Sequence, residues 1–328
     1  MPVAISTNAL TRTYQSYKKP EGLWNSIRGF WHREYVEKTA LQPTTLQIEK
    51  GQIVGLVGAN GAGKTTLLKL LSGLIHPSSG EARVLGFVPW ERSNDYLKRI
   101  SILLGQKNQL WWDLAPVDSY ALLARIYDLD ITKARERVRE LAQMLDCSHV
   151  LETQLRRLSL GERMKMEIIG ALLHEPEVLF LDEPTIGLDV VAQSTIREFL
   201  SNYVRERKPT VILTSHYMDD IARLANRLLL ISKGKIVYDG TVEDFVCSAE
   251  TEQHLTIRYA EKLEKPLNLL GKYSLEAGHQ DYSFTIKAND FPLVVSELGR
   301  HGNIIEFRTE ETDFEKVIHG FLQKESRV

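Results

Sequence analysis

This chain is poor in cysteine, in net charge and in long apolar runs, and each shortage excludes a class of protein. Its 328 residues include two cysteines, Cys147 and Cys247, without the paired spacing of a thiolate metal site, so both read as reduced thiols of the core or surface. No apolar run approaches the roughly 18 to 20 residues that span a bilayer, and Met1 to Asn8 lack the basic-then-apolar order of a secretory leader. The expectation is a chain that is neither secreted nor membrane-spanning. The 41 basic and 43 acidic residues leave a net charge of -2, so no overall basic field argues for a nucleic-acid partner. What the composition does supply is 43% hydrophobic residues, enough over this length for a large core, as two domains or as one large domain with an appendage.

The most informative stretch is Gly58, Ala59, Asn60, Gly61, Ala62, Gly63, Lys64, Thr65, with a second threonine at Thr66. It lies between the short aliphatic run Ile53, Val54, Leu56, Val57 and the helically spaced Leu67, Leu68, Leu70, Leu71, which is the strand-loop-helix setting a phosphate loop requires. Glycines let the N–H groups of Asn60 to Lys64 curl around phosphates, the helix N-terminus adds partial positive charge, and Lys64 reaches the outer phosphates. Thr65 is placed to ligate Mg2+.

A phosphate loop does not separate a kinase from a GTPase or an ATPase; its companions do. Val178 to Leu181 reads as a buried strand ending in Asp182-Glu183, an arrangement that brings one carboxylate to Mg2+ and a second to an attacking water. Upstream stands Leu158-Ser159-Leu160-Gly161-Glu162; downstream come Gly187-Leu188-Asp189 and the run Val211 to His216. None of these motifs occurs twice.

In order and spacing these segments resemble the ATP-binding subunit of an ABC transporter, over about residues 1 to 246. The resemblance implies an α/β P-loop core with a helical subdomain at about 116–173, Gly58 to Thr66 as the Walker A loop and Asp182 with Glu183 as the Walker B pair. It makes Gln106 the Q-loop glutamine, a further metal contact beside Thr65 and Asp182, and leaves Gln109 as an alternative. Ser159 and Gly161 become the signature core, Asp189 part of the D-loop, and His216 the switch histidine, a sensor and positioner of the terminal phosphate; Glu183 is the better general base. Tyr14 is the candidate for stacking on adenine, with Tyr35 second. ATP and Mg2+ are the implied cofactors. Because the Walker A loop and the signature of one subunit face different ATP molecules in that family, a second copy in a two-fold head-to-tail pair is implied, together with a separate transmembrane permease. The Gln-Leu-Trp-Trp run at 109–112 and the stretch from Asp182 to Val191 look most like exporter-type subunits that move drugs, lipids or polysaccharide precursors, working at the cytoplasmic face of the cell membrane.

The sequence departs from the family's Leu-Ser-Gly-Gly-Gln signature, with Leu160 and Glu162 replacing a glycine and the glutamine. Ser159 followed by Glu162 is also a capping box for a helix running to about Leu173, and a helix N-terminus is an anion site whether self-capped or filled by phosphate. Two rivals remain. A soluble ABC-type ATPase acting on ribosomes or nucleic acid usually carries two ATPase units joined by a charged linker, and this chain has one. A small-molecule kinase would leave the signature and His216 without purpose.

Elsewhere, Val117, Tyr120, Leu123 and Tyr127 mark one helix face and Val138, Leu141 and Leu145 another, while the charge-dense Lys133 to Glu140 reads as a solvated side. An insertion at about 17–38 carries Leu23, Ile27, Phe30 and Trp31 at helical spacing with Trp24 beside them, a candidate for core packing, lipid surface or a membrane partner. Residues 247–328 read as a small α/β appendage with alternation at Leu255, Ile257, Tyr259 and at Tyr282, Phe284, Ile286, a strand at Asn303 to Phe307, and helices at Pro292 to Leu298 and around Phe314 to Phe321. It is a packing cap, or a regulatory or dimer-supporting unit.

Overall fold

The computed structural model describes residues 2–17, 35–105, 108–215, 217–248, 252–261, 275–277, 281–287, 290–300, 303–310 and 318. The chain divides into two compact units after Thr241.

In the first unit, strands β1 (Val3–Tyr17) and β2 (Tyr35–Glu49) precede β3 (Ile53–Val57), which leads into the phosphate loop, and β4 (Ser79–Val84). β1 pairs antiparallel with both β2 and β4, giving the order β2-β1-β4. β5 (Ile100–Leu104), β6 (Val178–Asp182), β7 (Thr210–Thr214), β8 (Arg227–Ser232) and β9 (Lys235–Thr241) join β3 in a six-stranded sheet of order β5-β6-β7-β3-β8-β9. All of its pairs are parallel except β8 with β9. Every residue of β6 and β7 is buried, which is why these strands read as continuous aliphatic runs and not as alternating ones.

The helix Lys64–Leu71 is held in the core these sheets share. Its Leu67, Leu68, Leu70 and Leu71 are fully buried in one cluster with Ile5, Leu10 and Ile48 of the antiparallel sheet and Val54, Phe180 and Ile212 of the parallel one. At about 1.5–3 kcal/mol for each buried leucine, this packing anchors the helix whose first turn must meet the phosphates.

One sequence expectation shifts here. The β1–β2 hairpin runs into the expected 17–38 insertion, since Tyr17 pairs with Tyr35 and Gln15 with Glu37. Ladder hydrogen bonds do not require apolar alternation, so polar residues continued the hairpin unseen. The segment with Leu23, Trp24, Ile27, Phe30 and Trp31 lies outside the described residues.

The helical region comprises Pro116–Ile126, Ile131–Met144 and Leu160–Leu172. Pro116 opens the first helix and the Asp130 side chain caps the second by accepting from the Lys133 amide. Tyr120 is buried and its hydroxyl donates to the Met166 carbonyl, whereas Val117, expected on the same face, sits in the first turn and stays 36% exposed. Val138, Leu141 and Leu145 are buried as expected. The solvated reading of Lys133 to Glu140 fails at Arg137. It is buried, its Nη1 donates to Glu140 at 2.7 Å, and its guanidinium lies 5.7 Å from the Tyr203 ring centroid, so an aliphatic stem and a planar cation fill the seam with the helix Val190–Arg207.

The second unit begins with the helix Val242–Ser248 and builds an antiparallel sheet of β10 (Glu252–Tyr259), β11 (Leu275–Ala277), β12 (Asp281–Lys287) and β13 (Ile304–Glu310) in the order β11-β12-β10-β13. Leu255, Ile257 and Tyr259 are buried, as are Val294 and Leu298 of the helix Phe291–Leu298, and the Tyr259 hydroxyl donates to the Leu298 carbonyl. Apart from Ile318, the helix expected around Phe314 to Phe321 lies outside the described residues.

Candidate nucleotide site

Parallel topology puts the C-terminal ends of β3, β6 and β7 side by side, and the loops leaving those ends carry Gly58 to Lys64, Asp182 with Glu183, and Thr214 with Ser215. In the phosphate loop, a Cβ on Gly58 would stand 2.2 Å from the Ile231 carbonyl oxygen, so only a bare backbone fits against β8. Gly63 has φ +117°, and a Cβ there would meet the Ala40 carbonyl oxygen at 2.5 Å. Both demands force glycine. Gly63→Ala is expected to cost about 1–3 kcal/mol of stability in strain, with loss of nucleotide affinity; thermal melts and ADP titration check it, and an unchanged protein would contradict the geometry.

Lys64 is buried and its Nζ donates to the Gly58 carbonyl at 2.7 Å and the Ala59 carbonyl at 3.3 Å. Burial lowers its pKa, partly offset by the charges of Glu183 and Asp182. The ammonium thus folds across the loop that its helix begins, and the same two carbonyls anchor it beside the backbone N–H groups of that loop. Thr65 Oγ1 donates to Asp182 Oδ2 at 2.8 Å, and Thr214 Oγ1 donates to Asp182 Oδ1 at 2.7 Å. Asp182 is therefore held by a hydroxyl on each oxygen. Thr66 follows within the helix.

Glu183 takes φ +57°, uncommon for a residue with a side chain, and its N–H is shared between the Thr214 carbonyl at 3.1 Å and Thr214 Oγ1 at 3.0 Å. The Gly105 amide donates to the Asp182 carbonyl at 2.8 Å, so the loop leaving β5 starts against the same turn. A Cβ on Gly105 would lie 2.3 Å from the Glu183 carbonyl oxygen. Gln106 and His216 lie outside the described residues. Gln109, the alternative to Gln106, turns its side-chain amide back to the Ile102 carbonyl, while its backbone N–H donates to both oxygens of the Glu167 carboxylate.

Ser159 caps the helix Leu160–Leu172 with both halves of the capping box formed: its Oγ accepts from the Glu162 amide at 3.3 Å and its own amide donates to Glu162 Oε2 at 2.9 Å. Its hydroxyl also donates to that oxygen at 2.8 Å. These bonds, the backbone one first, hold the Glu162 carboxyl below its ordinary pKa, so the box is complete at neutral pH and its contribution is lost only as pH falls through that lowered value. Gly161 is packed under the start of the next helix, where a Cβ would lie 2.9 Å from Ala192 Cβ. Asp189 caps that helix, accepting from the Ala192 amide at 2.9 Å. Among the described residues no hydrogen bond joins Ser159 to the phosphate loop.

Tyr14 is 37% exposed in β1, with the Arg12 guanidinium 4.6 Å from its ring centroid; Tyr35 is the first residue of β2. Sequence reasoning passed over Thr214. Its in-register pairing with Asp182 makes it the pivot of the site, but a threonine ending an apolar strand carries no pattern that says so.

The chain belongs to the ABC transporter ATP-binding family and is an ATPase of that family. The ABC transporter family model matches residues 41–186. The ABC transporter ATP-binding protein NatA of Bacillus subtilis is 32% identical over 230 residues, covering 70% of this chain and 93% of that protein. The daunorubicin resistance ATP-binding protein DrrA3 of Streptomyces coeruleorubidus is 34% identical over 67% of this chain and 68% of that protein. A Nod factor export ATP-binding protein of Cupriavidus pinatubonensis is 32% identical over 66% of each. The fold matches a solved ATP-binding subunit of an ABC transporter with TM-score 0.61 at 22% identity, over 74% of this chain and 91% of that one. It also matches a dimeric ATP-binding cassette in a post-hydrolysis state with ADP and Pi, with TM-score 0.60 at 23% identity, over 73% of this chain and 98% of that one.

Proposed function

We propose that this chain hydrolyses Mg-ATP to power export of a substrate through a separate transmembrane partner, working as a two-fold pair at the cytoplasmic face of the cell membrane. The observation that carries the hydrolytic half is the convergence of Thr65, Asp182, Thr214 and Glu183 beside the phosphate loop. Oxygen donors of this kind suit a hard cation, so the residues fit Mg2+, with Thr65 and Asp182 to hold it, joined by Gln106 as the family resemblance implies. When bound, the ion neutralises phosphate charge. Lys64 and the N–H groups of the loop bind the phosphates, Glu183 takes the proton of the attacking water, and the backbone bonds of Glu183 orient its carboxylate for that task.

Ser159 and Gly161 serve the ATP of the second copy. Their neighbours in this chain are Glu162, Asp189 and Ala192, and beside them the side chains of Val190 and Val191 are 79% and 76% exposed, an apolar step suited to being covered by a subunit of the same kind. Tyr14, 37% exposed on β1, is the residue that stacks on adenine in this reading. The first unit, to Thr241, supplies the nucleotide-binding domain and the second a separate C-terminal domain, five residues earlier than the expected start at 247. The relatives named for drug resistance and Nod factor export support the outward direction.

A groove of about 370 Å³ suits the transmembrane partner. Leu74 and Ile126 line it, 44% and 62% exposed, together with Tyr127 and Ile102 of β5. Lys98 and Asp128, an ion pair 2.5 Å apart, are also in its lining. Because β5 ends at Leu104, one residue before Gly105, whose amide bonds the Asp182 carbonyl, a segment seated here acts on the strand whose end abuts the hydrolytic turn. Affinity purification from detergent-solubilised membranes is expected to recover a membrane protein with the wild-type chain. Ile126→Asp with Leu74→Asp should reduce that recovery about tenfold without lowering the melting temperature, since both side chains already face water. Undiminished recovery would remove the groove from the transport mechanism, and the absence of any co-purifying membrane protein would count against transport.

A further inference from the structure

Asp220 lies in the helix Met218–Leu224 and is 1% exposed, yet the hydrolytic assignment leaves it without a task. Its Oδ2 accepts from Thr185 Oγ1 at 2.5 Å and from Ser215 Oγ at 2.6 Å, while Oδ1 accepts from Arg197 Nε. The three donors come from three chain segments. Thr185 stands two residues after Glu183. Ser215 follows Thr214, which holds both Asp182 and the Glu183 amide, and Arg197 belongs to the helix that Asp189 caps.

The bonds close into a ring. Arg197 Nη2 donates to Gln193 Oε1 at 3.3 Å, and Gln193 Nε2 donates in turn to the Leu188 carbonyl at 3.1 Å and the Thr185 carbonyl at 3.5 Å. The Tyr217 amide adds a bond to Ser215 Oγ at 2.9 Å. Thr185, Gln193 and Ser215 are all buried, so water does not compete for these groups. The helix bearing Asp220 is pressed on the strand that feeds the phosphate loop, because Gly55 of β3 has no side chain and a Cβ there would lie 2.6 Å from Ile221 Cγ2. One buried carboxylate thus joins the turn after Glu183, the end of β7 and, through Gln193, the backbone just before Asp189.

We propose that Asp220 is a positioning residue for ATP hydrolysis, fixing the Glu183 turn against the end of β7 and tying both to the Leu188–Asp189 segment. The inference rests on Glu183 as the group that activates water. A neighbouring copy that presses on Val190 and Val191 would move the start of that helix, and the Gln193–Arg197–Asp220 ring carries the movement to the turn holding Glu183. The Asp220 carboxylate is engaged by Thr185, Ser215 and Arg197, and its effect is on where Glu183 points.

The test uses the full chain and compares Asp220→Asn, Glu183→Gln and the double variant for kcat and KM with ATP, for ADP affinity by calorimetric titration, and for melting temperature. Asp220→Asn is expected to lower kcat about tenfold or more, the scale of a misplaced reacting group, while KM and ADP affinity stay within about twofold. The double variant should be no slower than Glu183→Gln alone, because both changes act on one carboxylate. Wild-type kcat in Asp220→Asn, or a further independent loss in the double variant, would overturn the proposal. Wild-type turnover in Glu183→Gln would overturn the Glu183 reading and the role of Asp220 with it; loss there but none in Asp220→Asn overturns the role of Asp220 alone. If Asp220→Asn does not fold, Thr185→Val and Ser215→Ala each remove one donor, and a lowered kcat at constant ADP affinity supports the proposal while unchanged kcat in both overturns it.

Discussion

Glu183→Gln is expected to cut steady-state phosphate release by roughly 10²-fold or more, the range of a lost general base, while Mg-ATP binding persists. The amide occupies nearly the same volume as the carboxylate. The place of residue 183 is set by its backbone, through the shared bond of its N–H to Thr214 and the close approach of Gly105, and neither depends on the side-chain charge. With hydrolysis stopped, ATP should hold the protein as a closed pair. Size-exclusion chromatography with Mg-ATP and a phosphate-release assay on the same sample read both effects. Near wild-type turnover would remove Glu183 from the water-activating role.

Ser159→Ala separates two functions that share one hydroxyl. As a cap alone, Ser159 contributes about 1 kcal/mol, and its loss should leave turnover per folded molecule intact. As the group that closes the partner's ATP site, its loss should collapse turnover at the same small stability cost. The second result is expected, because Ser159 is exposed and, among the described residues, its hydroxyl is held within the box by Glu162, whose carboxylate would have to release it to a phosphate. Melts and ATPase rates measured together decide; an unchanged rate leaves the box as a cap.

The strands ending in Val57, Asp182 and Thr214 were legible because burial on both faces makes a parallel strand a continuous aliphatic run, and the phosphate loop because glycine, lysine and threonine at fixed spacing have few other uses. The capping box was legible for the same local reason, and it is fully formed. Residues whose neighbours are near in sequence announced themselves.

What lay beyond the sequence depends on partners far along the chain. Nothing near Arg137 signals that Tyr203 will draw it inside, and the polar continuation of the hairpin to Tyr17 and Tyr35 has no hydrophobic period to follow. Thr214 joins Asp182 across neighbouring strands and Asp220 joins Thr185, Ser215 and Arg197 from three segments. The amino-acid sequence by itself determined the ligand class, the phosphate loop, the acidic pair and the helix cap, since each is a matter of residue type at short range. Only the tertiary structure decided which hydroxyls hold Asp182 and which carboxylate ties the Glu183 turn to Leu188, because a hydrogen bond depends on separations of about 3 Å that strand order and helix packing alone create.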